Sequence, residues 1–265
     1  MSSVRTGQIL TLDGKVFAQA MWSVLAMRAD SARILWACTA CTAWIPHCEQ
    51  CLKTDEGETA LLAFNLDSGA LLQRIDSPLP GMLGDMTLSR RGDIYVSEGI
   101  HGAVLRLPRG GTALQRPGQP GEFPSPQTPA LSADEKTLCV PDYVRGIAAV
   151  NLQSATVPAP VRCLQPADNI ALSGIDGLYT YRGAFIAIQN GTNLARVIRF
   201  SQDLQHQQIL ESNSPGLGEP THGVLVNDRF YFLANTGWSQ YDGQARKKAC
   251  TAPVESSVRS LRLMK

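Results

Sequence analysis

The sequence predicts an all-β fold, a six-bladed β-propeller whose first blade is incomplete. One kind of strand segment recurs six times, and a strand–turn–strand segment precedes it five times. The units repeat every 40–50 residues or so, roughly the length of a four-stranded propeller blade.

The recurring strand reads Gly7-Gln8-Ile9-Leu10-Thr11-Leu12 and returns at residues 60–66, 103–107, 146–152, 196–200 and 258–263. Its apolar and polar positions partly alternate, as strands packed between neighbouring sheets do. The preceding pairs are 24–27 with 34–36, 86–88 with 94–96, 129–131 with 138–140, 178–181 with 184–187, and 224–226 with 230–232. Between their strands lie Ala29-Asp30, Arg91-Gly92-Asp93, Ala133-Asp134-Glu135, Arg182-Gly183 and Asn227-Asp228, all with hairpin chemistry. A fourth, outer strand is expected at 16–19, 70–75, 112–115 and 205–211. Residues 7–12 and 15–20 are therefore the outer strands of blade one, with no inner strand from residues 1–6. On this count the chain begins partway through its first blade. A two-sheet sandwich is the competing all-β architecture, but it does not explain a repeated strand–turn–strand–strand unit. The organisation expected is a single propeller domain over 1–265, with a partial blade at 1–20 and a Cys-rich loop insertion at 38–58.

The chain is 44% hydrophobic and 18% charged, a composition that supports a full core. A net charge of +1 offers no basis for a nucleic-acid or membrane-surface partner. No apolar run approaches the ~20 residues that span a bilayer. No apolar signal core follows Met1-Ser2-Ser3-Val4-Arg5, and seven cysteines is an odd number for a disulfide framework. A reducing, cytoplasmic setting is the default expectation.

Gly174-Ile175-Asp176-Gly177-Leu178-Tyr179, then Gln189-Asn190-Gly191 and Arg196-Val197-Ile198-Arg199-Phe200, resemble the Asp-Gly strand and "N-G-x-x-V-x-R" strand of the gluconolactonase/regucalcin superfamily. Gly84-Asp85-Met86 with Gly92-Asp93-Ile94-Tyr95-Val96-Ser97-Glu98 is similar to its "N-D-x" blade start and "G-x-x-Y-V-S-D" strand. Ser132-Ala133-Asp134 with Leu138 and Asp142-Tyr143 resembles another of its blades. The similarity covers most of residues 1–240.

Residues just before the innermost strands face the top of a propeller's channel. Here they are Ser23, Asp85, Gln127, Asp176 and His222. Asp85, Gln127 and Asp176 carry the oxygen chemistry that a hard cation takes. In the resembling enzymes a Glu opening blade one, an Asn in blade four and an Asp in blade five hold a divalent ion, which polarises a lactone carbonyl and activates water. The resemblance implies Asp176 as the blade-five ligand and as a catalytic residue. Gln127 stands in for the Asn, and Gly84-Asp85 for the blade-three pair. The Glu has no counterpart. His222 is a candidate general base or ligand, or else a structural residue. Asp85 and Asn190 are candidate substrate contacts; Asn190 and Asn193 equally suit turn-shaping. Arg106 and Arg199 suit inter-blade ion pairs.

Cys38-Thr39-Ala40-Cys41 and Cys48-Glu49-Gln50-Cys51 form two C-x-x-C pairs beside His47, open to structural zinc, to free thiols or to one disulfide. Cys139 falls in a strand and belongs in the core. The leading expectation is a metal-dependent lactone or ester hydrolase, using calcium or zinc, acting on a small-molecule substrate and impaired by the absent Glu. The rival is a non-catalytic propeller that binds a small ligand or a protein partner.

Overall fold

The computed structural model describes all residues except 1–6, 12, 43–50, 117–120, 155–158, 192–193, 243–245, 250–253, 255 and 265. Two compact units divide the chain, residues 1–116 with 240–249 and residues 117–239 with 250–265.

In the first unit β1 (Gln8–Leu10) and β2 (Val16–Gln19) form a hairpin sheet. A four-stranded sheet follows, of β3 (Ser23–Ala29), β4 (Ile34–Ala40), β5 (Thr59–Asn65) and β6 (Leu71–Asp76). The next has three strands, β7 (Leu83–Leu88), β8 (Ile94–Glu98) and β9 (Ala103–Leu107). The second unit opens with β10 (Ala130–Leu131), β11 (Thr137–Asp142), β12 (Gly146–Asn151) and β13 (Val161–Cys163). Then come β14 (Ile175–Tyr181), β15 (Ala184–Gln189), β16 (Arg196–Ser201) and β17 (Gln207–Ser212), and last β18 (Thr221–Val226), β19 (Arg229–Leu233) and β20 (Val258–Arg262). Strands within each sheet are antiparallel and follow chain order.

The chain is thus an all-β β-propeller, but the described residues hold five blades, not the expected six. Of the remaining unit they hold only the hairpin β1–β2, which lies where its outer strands are expected. Residues 1–6, where the absence of an inner strand is expected, lie outside the described residues. The expected outer strand at 112–115 is reduced to one bridge, Arg106 with Gln115. A turn with Gly110 at φ +68° and Gly111 N–H donating to Pro108 O at 2.8 Å precedes that stretch. The sequence reading also missed β13, a three-residue strand with no apolar alternation to announce it.

The middle strands β8 and β15 are buried at every position, as strands are when neighbouring sheets cover both faces. Phe185, Ile198 and Phe200 pack with Ile147 and Leu178 in the second unit, while Leu61, Leu83, Met86, Val96 and Leu105 form a core in the first. Each of three middle strands ends in a buried polar residue that fastens the chain entering the inner strand of its own blade. Glu98 accepts from the N–H groups of Met82, Ile100 and His101 at 2.8–3.0 Å. Asp142 accepts from those of Ser125, Val144 and Arg145 at 2.8–3.0 Å. Gln189 donates to Ser173 O at 2.6 Å and to Ala171 O at 3.2 Å. Inner strands then enter their sheets through a one-residue bulge: the register shifts between Val24 and Ala26, Leu83 and Met86, Ile175 and Gly177, and Thr221 and Gly223. A bulge takes a side chain out of strict alternation and re-aims it.

Candidate functional site in the second unit

Asp176 is the bulged residue of β14, and it is half-buried. Its Oδ2 accepts from Asn190 Nδ2 at 2.9 Å and from the hydroxyl of Thr221. Its backbone carbonyl accepts from Thr128 Oγ1 at 3.2 Å. Asn190 Nδ2 also donates to Pro220 O at 2.8 Å, and Asn190 Oδ1 accepts from the Tyr143 hydroxyl at 2.9 Å. Two acceptors on one side of the amide and one donor on the other leave a single consistent orientation for it. Loops of three successive blades therefore meet at one carboxylate.

The approach is close. Gly174 has φ +74°, and a Cβ on it would lie 2.7 Å from Gly191 Cα. Gly174 N–H donates to Tyr143 O at 2.8 Å, and Asn190 N–H donates to Gly174 O at 3.0 Å. Both glycines are required for three loops to stack at this spacing. Burial, then the carboxylates of Asp176 and Glu219, pushes the Tyr143 phenol above its usual range. Glu219 lies beside the same cluster: it precedes Pro220, and both its carboxylate oxygens face Ser239 N–H, at 2.9 and 3.1 Å.

Of the expected site residues, Asp176 and Asn190 come together. Gln127 is half-buried, and its amide turns back onto Ser125 O at 3.2 Å and Ser125 Oγ at 3.1 Å. His222 occupies the bulge of β18 and is half-buried; the side chain that reaches Asp176 is that of Thr221, one residue earlier. Asp85 belongs to the first unit. It is buried, accepts from Arg28 Nη2 at 2.8 Å, and takes the Met86 N–H on Oδ1 at 2.7 Å. Tyr143, Thr221, Thr128 and Glu219 escaped the sequence reading. Tyr143 was visible only as part of a repeat motif, and Thr221 is separated from His222 by a register that only the bulge sets.

This donor set does not fit a divalent ion in the second unit. The Asp176 oxygen that neighbouring groups reach is already held by two donors. Asn190 turns its NH2, not its carbonyl, toward that carboxylate. No group of three His, Cys, Asp or Glu able to hold a metal occurs among the described residues. The zinc option for the cysteines fails on geometry as well. Cys41 is bonded to Cys51, and Cys38 is fully buried in the first-unit core. Cys48 and His47 lie outside the described residues. Arg106 pairs with Asp93 of its own blade at 2.8 Å, and Arg199 donates to Met264 O at 3.2 Å, so among the described residues neither forms the expected inter-blade ion pair. Cys139 is core, as expected.

No family model and no curated protein sequence matches the chain. Its fold is similar to that of solved structures. A gluconolactonase from Xanthomonas campestris aligns with TM-score 0.57 and 19% identity, over 82% of this chain and 71% of that one. Virginiamycin B lyase from Staphylococcus aureus aligns with TM-score 0.57 and 13% identity, over 86% and 70%. A chain of the nidogen/laminin complex aligns with TM-score 0.54 and 13% identity, over 66% of each. These likenesses are to β-propellers, two of them propeller enzymes, and they establish the fold. Fold alone does not carry activity.

Proposed function

We propose that this protein is a small-molecule-binding β-propeller of the gluconolactonase/regucalcin superfamily, with Asp176 as the anchor of its ligand. The reading keeps a six-fold plan, with β1–β2 as the outer half of a sixth blade. One observation carries it: three loops of successive blades converge on a half-buried carboxylate that Asn190 and Thr221 aim. A buried-polar constellation of that kind, fastened by Tyr143 and two closely packed glycines, is what a pre-organised site requires.

Hydrolysis of the bound ligand is the second reading. Its support is the half-exposed, oriented carboxylate, the geometry a general base needs. The test is binding and turnover of γ-butyrolactone and phenyl acetate, with and without calcium, zinc or manganese, by the native chain and by Asp176→Asn. Turnover at background in the native chain and in Asp176→Asn, with or without metal, is the expected result. Metal-dependent turnover abolished by Asp176→Asn establishes the hydrolase instead. Turnover that Asp176→Asn leaves unchanged removes Asp176 from the chemistry.

A further inference from the structure

We infer that the ligand presents a protonated amine to Asp176, because the hydrogen-bond donors that neighbouring side chains aim at this carboxylate are already spent within the protein. The inference rests on the reading of Asp176 as the ligand anchor and names the chemical class of the group that meets it.

The accounting is by hydrogen. The Asn190 amide has two N–H hydrogens, and they go to Asp176 Oδ2 and Pro220 O. Thr221 has one hydroxyl hydrogen, which goes to Asp176. Tyr143 has one, which goes to Asn190 Oδ1. The cluster built from these side chains is left with acceptor capacity: carboxylate oxygens of Asp176 and the lone pairs of the Tyr143 and Thr221 hydroxyls. A lactone carbonyl is itself an acceptor, and to be polarised it needs a donor aimed at its oxygen. None of these side chains has a hydrogen to give it.

Charge points the same way. Asp85, Asp93, Glu211 and Asp228 each have an arginine partner at 2.5–2.9 Å. Asp176 and Glu219 have no ion pair among the described residues. Glu219 precedes Pro220, whose carbonyl shares the Asn190 amide with Asp176, and both carboxylates act on the Tyr143 phenol. An ammonium supplies three hydrogens and a positive charge, and a charge-assisted N–H···O contact is the strongest pairing such a surface offers. A divalent ion asks for about six to eight oxygens. An ammonium is satisfied by two or three acceptors.

Isothermal titration of the whole chain with ethanolamine, ethylene glycol, γ-butyrolactone and calcium chloride tests the inference. Ethanolamine is expected to bind at least roughly tenfold more tightly than ethylene glycol. Asp176→Asn, which keeps shape and removes charge, is expected to lower ethanolamine affinity by roughly tenfold, the scale of one charge-assisted hydrogen bond. Glu219→Gln is expected to lower it less. Circular dichroism of both variants verifies that they are folded. Ethylene glycol or γ-butyrolactone binding as tightly as ethanolamine, with the same dependence on Asp176, would overturn the amine and leave the anchor standing. Calcium displacing ethanolamine from the native chain would overturn it in favour of a metal. No probe responding to Asp176→Asn would overturn both the amine and the anchor.

Discussion

Two aspartates at bulged strand entries have opposite fates, and the difference is one of neighbours. Asp85 is 1% exposed and bound to Arg28, itself only 14% exposed in its side chain. Asp176 is half-buried and held by neutral donors. Removing one partner of a buried ion pair strands the other, which typically costs about 3–5 kcal/mol. Asp85→Ala is therefore expected to lower unfolding free energy by about 3 kcal/mol in urea denaturation, and Asp176→Asn by about 1 kcal/mol or less. Equal losses would mean that Asp176 is as structural as Asp85. The thiols make a second residue-scale prediction. Burial pushes Cys139 from 9.0 up to about 12, against a smaller opposing pull from Arg162, and it pushes Cys38 well above its usual range. A raised acid pKa favours the protonated native state. Its stabilising contribution is complete below the unfolded thiol's pKa and is lost as pH rises from 9.0 toward about 12. Alkaline unfolding midpoints should therefore move upward in Cys139→Val. An unchanged midpoint would remove Cys139 as a source of alkaline instability.

At the scale of elements, the glycine contact at the site is the most exacting local requirement. Gly174→Ala puts a Cβ 2.7 Å from Gly191 Cα at a left-handed φ of +74°. The backbone cost alone is about 1 kcal/mol, and separating the loops also displaces Asn190. Loss of ligand binding out of proportion to the loss of thermal stability is the expected signature. The Cys41–Cys51 bond ties the end of β4 to the turn before β5 across a separation of 10 residues. Closing a loop of that size stabilises by about 2–3 kcal/mol. Cys51→Ala should lower stability by that amount without reductant and by nothing with it. Sensitivity in both conditions would show that the side chain, not the bond, matters. Most of these elements were legible in the sequence, because blades repeat and their strands are bounded by turn residues such as Arg182-Gly183 and Asn227-Asp228. The strand starts were not. Four of the five described inner strands, all but β10, enter through a bulge, and a bulge shifts by one residue which side chain faces which neighbour. That is why His222 stood out in the sequence while Thr221 touches Asp176. Gln127 opens its blade as expected but folds its amide onto Ser125, a local contact that the repeat pattern does not announce. Disulfide pairing is likewise invisible in a C-x-x-C pattern that fits several chemistries.

At the scale of the whole molecule, the last blade packs one face into the second unit's core and leaves valines of the other exposed among the described residues. Phe230 and Phe232 of β19 turn toward Tyr179 and Ile188 in a closed core, with Leu225 and Leu261 beside them. The alternate residues form the opposite face. Register places Val224 beside Tyr231 and Ser260, Val226 beside Arg229 and Arg262, and Leu233 beside Val258. Val224, Val226 and Val258 are 44%, 48% and 43% exposed. Interior blades do not show this; β15 is buried at every position. A sheet face that exposes three valines favours association with another copy, and net charge does little to oppose it, since it is +1 and the isoelectric point about 7.6. The chain is therefore expected to self-associate with rising concentration near neutral pH, detectable by light scattering on a sizing column. The double substitution Val224→Lys and Val226→Lys places two charges on the face and raises the net charge from +1 to +3 (1 + 2). It should suppress association while leaving the thermal midpoint close to that of the native chain, because neither side chain is in the core. Suppression of association by Val16→Lys and Leu52→Lys, exposed but elsewhere in the chain, would show that net charge and not this face is responsible. A native chain that stays monodisperse and monomeric at high concentration would show that the face is tolerated uncovered, its exposed valines too interspersed with Arg229, Ser260 and Arg262 to act as one patch.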